Sequence, residues 1–398
     1  MAEVPRLLEG PHDAGHRCHL FLNPNKEHDY RSFRLRTIKK TWPIHNYFIP
    51  HLDAYGLHAF ARLTSSKDQS QLRSDPSLLT SLVDRWRPET HTFHFRFGEL
   101  APTLKDVSMI LALPIRGEPL VSPRVSKTWA QNISDRLGMT MPESQRTGDP
   151  RGIPLTWLHD NFLNISSFAD SETRKRDLFA YLLWLLGVMF PNSHGDILLP
   201  GLIYIVEKMV DEPLPEHPKY SFGSAILSHT YRGLCDATQK TSFTKKAPLL
   251  CVPYEFLQLW SWEYLPVGRP RITNPIHPYD YGEGSCVTMA SRWTRARKHW
   301  SPSIAKNCYP IYHQQFEALD ESVVTWNPWT QEHVQMVLNI RPITPGMLTD
   351  SAFWLTRCYL LFLWCVEPYN PERVMRQFGL YQEIPPPSPR CTDEETHK

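Results

Sequence analysis

Eighteen histidines and eight cysteines make metal or nucleophilic chemistry the first question to ask of this 398-residue chain. The segment HDAGHRCH sets His12, His16, Cys18 and His19 close together. No second ligand pair follows at zinc-finger spacing, and no CxxC occurs among Cys18, Cys235, Cys251, Cys286, Cys308, Cys358, Cys365 and Cys391. His91 and His94 lie three apart in THTFHF, where alternation sends them to opposite faces, so they are expected to be structural rather than ligands. Catalytic templates fail in turn. There is no GxSxG elbow, Walker A loop or HExxH, and Gly282-Glu283-Gly284 begins a dinucleotide fingerprint that Val287 ends. Ser242-x-x-Lys245 and Ser303-x-x-Lys306 lack the companions of penicillin-recognising enzymes. No catalytic residue, metal, cofactor or small-molecule substrate is expected.

Charge offers a second kind of chemistry. SRWTRARKHW places Arg292, Arg295, Arg297 and Lys298 beside Trp293, a pattern suited to phosphate contacts with base stacking, or equally to a surface strand with cation–π pairs. RSFRLRTIKK adds Arg31, Arg34, Arg36, Lys39 and Lys40, a solvated face or a phosphate-contacting arm. Formal net charge is only +2, so the total does not mark a nucleic-acid binder.

The elements that must position these groups are mostly helical. Thirty-six prolines predict short helices broken by constrained loops. The most informative stretch is 77–117. Asp75 can cap a helix with Pro76 at its first position, and Leu78, Leu79, Leu82, Val83 and Trp86 fall on one face until Pro88 stops it. Phe93, Phe95 and Phe97 then alternate with Thr92, His94 and Arg96 as a half-buried strand, and Gly98 permits a turn. Thr103, with Asp106 three residues on, caps a second helix that Pro114 closes. Further helices are expected at 52–63 with a break at Gly56, at 127–137, 157–165, 170–190, 197–210, 221–239 and 249–264, one or two within 312–340, and at 350–366 and 371–378. The apolar runs at 178–190 and 353–366 fall short of a bilayer span, so both are expected as core helices and the chain as soluble. No h-region marks the N-terminus, and thiols are expected to be reduced, which leaves the sequons at Asn132 and Asn164 as chance matches. The fold class is mainly α, a multi-helix globular domain with a small antiparallel β component. Residues 1–45 read as a basic, partly disordered N-terminal arm, 46–384 as the domain and 385–398 as a disordered tail.

The run LVDRWRPETHTFHFRFGELAPTLKDVSMILALPIRGEPL strongly resembles the plant mobile domain signature, carried here by Trp86, Pro88, Phe93, Phe95, Gly98, Glu99, Thr103, Asp106 and Pro114. The likeness continues in order through AYLLWLLGVMFPNSHGD, FGSAILSHTYRGLCDAT, LLCVPYEFLQLWSWEYLP, VVTWNPWT and NPERVMRQFGLYQEIPP. Arg96, Phe97, Val188 and Phe222 are local departures that concern packing. The resemblance implies a nuclear protein similar to the MAINTENANCE OF MERISTEMS group. Such proteins are tied to meristem maintenance, genome integrity and transposable-element silencing, and work with a plant protein-phosphatase-like partner, with chromatin or DNA as a further contact and no membrane. It also leaves open a transposon-encoded copy acting as a nucleic-acid-binding module. The family label "aminotransferase-like" raises a pyridoxal-phosphate enzyme, but no lysine sits in a recognisable pyridoxal context.

Overall fold

The carboxylate of Asp170 accepts the Thr173 amide and starts the longest helix, Ser171–Met189, which is buried without interruption from Asp177 onward. A helix apolar on all sides must be covered on all sides. The helices Leu155–Phe162, Ile203–Asp211 and Trp129–Leu137 pack around it. The computed structural model describes residues 16–20, 32–36, 40–65, 74–142, 151–165, 170–240, 247–271, 288–293, 308–340 and 343–387.

A second layer is organised on Leu104–Leu111, eight residues that are all buried. It packs against Phe222–Thr238, Tyr254–Tyr264, Met289–Trp293 and Gly346–Thr349. Its start is the capping box expected from Thr103 and Asp106, with each side chain bonded to the other's backbone amide. Before it, Pro76–Val83 is capped by Asp75 as the sequence predicts. That helix ends at Val83, however, three residues earlier than Trp86. Trp86–Arg87 is instead a short strand antiparallel to Thr92–Phe95, which pairs in turn with Gly98–Leu100. Pro88 restricts only Arg87, so the earlier end reflects tertiary pairing, in which Trp86 and Arg87 leave the helix to pair with Phe93 and Thr92.

The other sheets are two-stranded. Ile153–Pro154 pairs antiparallel with Ile197–Leu198, and Arg34–Leu35 runs parallel to Leu249–Leu250. The expected 350–366 helix is a hairpin, Cys358–Phe362 with Cys365–Tyr369. Its turn residue Leu363 has φ 53°, and alternate residues Leu360 and Phe362 bury against Phe222–Thr238. The architecture is mainly α-helical with small sheets. Among the described residues no helix is long and apolar enough to cross a membrane.

The N-terminal segment is not a loose arm where it is described. Phe33 and Trp42 are core residues, and His16, Arg17 and Cys18 are buried. Arg17 pairs with Asp84 at 2.6 Å and donates to the Tyr309 hydroxyl at 3.0 Å. From residue 388 the expected disordered tail lies outside the described residues.

Candidate functional site

The signature residues are spent mostly on the fold. Trp86, Phe93 and Phe95 are buried, with the Phe93 ring 4.9 Å from Trp86 and 5.1 Å from Trp260. Pro88 occupies the turn between the first two strands, and Gly98 takes φ 132°, which glycine alone adopts freely. The Pro114 carbonyl accepts the Gly223 amide at 2.7 Å. Asp106 is fully buried and accepts from Tyr264 Oη at 2.6 Å, Trp329 Nε1 at 2.9 Å and Thr103 Oγ1 at 2.7 Å. Burial raises its carboxyl above the ordinary value, and those donors pull it back. Glu99 accepts from Nε and Nη2 of Arg373, at 2.8 and 2.6 Å, and from Thr92 Oγ1 at 2.8 Å. Burial opposes its charge, yet Arg373 and His94 hold the carboxyl below its usual range.

One cluster is not explained by packing alone. His91 sits in the turn before Thr92–Phe95 at φ 54°, a left-handed conformation costing a non-glycine residue on the order of 1 kcal/mol. There its ring meets Cys235 from the last turn of Phe222–Thr238 and Glu367 from the second hairpin strand, all three ligand atoms lying within 4.8 Å of one another. His91 Nε2 is 3.1 Å from Glu367 Oε2, while Nδ1 lies 3.1 Å from the Pro368 carbonyl. A carbonyl only accepts, so Nδ1 carries a proton and Nε2 is the nitrogen turned to the cluster. Trp86 donates its indole N–H to Cys235 Sγ at 3.2 Å, and Arg232 Nε stands 2.7 Å from Glu367 Oε1. Burial works against charge on His91, but Cys235 and Glu367 outweigh it and push the imidazole up to about 10. The arrangement can hold a cation, or a thiolate beside an imidazolium. His94 has different partners, Thr90 Oγ1 at 3.2 Å and Glu99 at 3.8 Å, so the two histidines do not share a site. Sequence reasoning missed this cluster because its members come from three distant elements with no fixed spacing.

The His16 member of HDAGHRCH is occupied differently. Nε2 donates to the Trp86 carbonyl at 2.9 Å and Nδ1 accepts the Cys18 amide at 3.1 Å, leaving neither nitrogen for a metal. His12 and the side chain of His19 lie outside the described residues.

The basic-aromatic candidates divide sharply. Trp293 is buried with Nε1 donating to Glu263 at 2.7 Å, so its ring is no platform for a base. Arg36 is buried too, donating to the carbonyls of Gly187 and Val188 at the end of the long helix. Both corrections have one cause, since the chain around them enters the core. Arg34 is exposed but donates to the Ala247 carbonyl at 2.7 Å, and Lys40 pairs with Asp160. Arg31, Lys39, Arg295, Arg297, Lys298 and the side chain of Arg292 lie outside the described residues.

Comparison with known proteins adds identity to this geometry. The family profile described as plant mobile domain matches residues 63–398. In Arabidopsis thaliana, a serine/threonine-protein phosphatase 7 long form homolog is 32% identical over 361 residues, 89% of this chain and 25% of that protein. Protein MAIN-LIKE 1 is 28% identical over 78% of this chain and 55% of its own length, and Protein MAINTENANCE OF MERISTEMS is 28% identical over 81% of this chain and 60% of its own. The chain therefore spans between a quarter and three-fifths of these relatives. No solved structure matches it. Matched by that profile over most of its length, the chain belongs to the plant mobile domain family.

Proposed function

We propose that this chain is a non-catalytic nuclear protein that acts through protein partners in meristem maintenance, transposable-element silencing and genome integrity. The observation that carries the reading is the alignment over 81% of the chain with a protein named MAINTENANCE OF MERISTEMS. A protein-phosphatase-like partner fits the relative named as a phosphatase long form homolog, in which a region like this chain is joined to further sequence making up three-quarters of the protein. The surface offers anchors for such a partner. Tyr359, Trp364, Tyr381 and Ile384 are all more than half exposed and lie within one 26-residue stretch, and aromatic side chains of this kind dominate interface energetics.

The test is to recover the tagged chain from plant nuclei and probe for a phosphatase-like protein. Co-purification that falls at least tenfold in a Trp364→Ala/Tyr381→Ala variant supports the proposal. A chain excluded from nuclei, or recovered from them without the phosphatase-like protein, sinks it. Direct nucleic-acid binding is the alternative, and it predicts steeply salt-dependent DNA binding lost when Arg292, Arg295 and Arg297 become Ala. A pyridoxal enzyme is the third reading. Lys105 is a buried lysine, but its ammonium donates to Asn327 Oδ1 at 2.8 Å and lies near the Trp354 and Phe378 rings.

A further inference from the structure

We propose that His91, Cys235 and Glu367 form a binding site for a transition-metal dication, with zinc the best match to the donors. The three groups supply one imidazole nitrogen, one sulfur and one carboxylate oxygen, a borderline-soft set that suits Zn²⁺, Co²⁺ or Fe²⁺ and disfavours the oxygen-seeking Mg²⁺ and Ca²⁺. Zinc bonds of about 2.0–2.3 Å place tetrahedral ligand atoms roughly 3.5 Å apart. The present separations, all within 4.8 Å, need a closure of up to about 1.3 Å, within the reach of small side-chain rotations.

The surroundings are those a metal site requires. Histidine ligands bind through one nitrogen while the other donates to a carbonyl or carboxylate, as His91 Nδ1 does to Pro368. The Trp86 indole N–H donates to Cys235 Sγ, an outer contact that fixes the sulfur beside the imidazole. Arg232 against Glu367 Oε1 fixes the carboxylate and leaves Oε2 facing the imidazole. His91 and Glu367 are buried while Cys235 is half-buried, so approach is from the cysteine side. Three protein ligands leave a fourth position for water or an exogenous group. A metal ion takes the imidazole through an unprotonated Nε2 and the cysteine as thiolate, and the two negative ligands together match the charge of the dication.

The experiment uses the full chain, purified without a metal-chelating tag. It is stripped with a chelator and titrated with CoCl₂ and then ZnCl₂. One equivalent of Co²⁺ should produce a thiolate-to-cobalt charge-transfer band, which one equivalent of Zn²⁺ should displace. Cys235→Ser should abolish the band. His91→Asn, chosen because asparagine tolerates the left-handed backbone, should weaken binding at least tenfold, and Trp86→Phe should weaken it by about tenfold. Circular dichroism of each variant checks folding. No stoichiometric band in the wild-type chain overturns the proposal whatever the variants do. A band retained in folded Cys235→Ser assigns the metal to another thiol and overturns it as well. A folded chain that binds no metal yet shows rapid alkylation of Cys235 marks a metal-free thiolate–imidazolium pair instead.

Discussion

Asp106 shows how a single signature residue can be indispensable without being catalytic. Its Oδ1 receives the Tyr264 hydroxyl and the Trp329 indole, and its Oδ2 receives the amide and hydroxyl of Thr103. One carboxylate thus caps a helix and ties it to two other parts of the chain. Asp106→Ala would leave those buried donors without this acceptor and remove half of the capping box. A loss of about 3 kcal/mol or more is expected in urea denaturation. Asp106→Asn should cost less, about 1–2 kcal/mol, because Oδ1 can still accept from Tyr264 and Trp329, whereas its NH2 is a donor and leaves the Thr103 amide without an acceptor. Equal costs for the two variants would show that Asp106 acts through its charge rather than through its donors.

At the scale of elements, close approach of backbones decides more than propensity. Gly233 lies inside Phe222–Thr238, where Gly→Ala ordinarily stabilises a helix by about 1 kcal/mol. Here a Cβ would stand 2.3 Å from the Cys251 carbonyl oxygen, a backbone atom that cannot swing away. Gly233→Ala should therefore destabilise the chain by about 1–3 kcal/mol, read from the denaturation midpoint. A more stable variant would mean that the 249–252 segment does not pack there. Elements whose signals are local were legible in the sequence. Asp75, Thr103 and Asp170 cap the helices they precede, and the break at Gly56 falls where φ reaches 67° between Ile49–Ala54 and His58–Ser65. The 358–369 hairpin was not, because an unbroken apolar run fits a buried helix as well as two buried strands. Its turn carries Leu363-Trp364 rather than Asn-Gly, and packing against Phe222–Thr238 makes the choice. The His91 cluster was hidden for the same reason, since only tertiary structure brings Cys235 and Glu367 to one ring.

For the molecule as a whole, the core extends beyond the N-terminal edge of the 63–398 family match. Trp42 is wholly buried with its ring 5.6 Å from both Tyr181 and Trp184, on the longest helix. Arg36 places its guanidinium on the last carbonyls of that helix, where the helix dipole favours a cation. Arg34–Leu35 adds a parallel partner to Leu249–Leu250, and Arg17 brings a charge to the buried pair with Asp84. Removing residues 1–45 would expose the Tyr181–Trp184 face and leave Asp84 without its cation, a loss that commonly costs about 3–5 kcal/mol. With marginal stability of about 5–15 kcal/mol, a chain beginning at residue 46 is expected to lose its cooperative thermal transition and to be cleaved rapidly by protease. Trp42→Ala in the full chain should cost about 3–5 kcal/mol by itself. A shortened chain that melts as sharply and at the same temperature as the full one would show that the N-terminal segment rests on the core without supporting it.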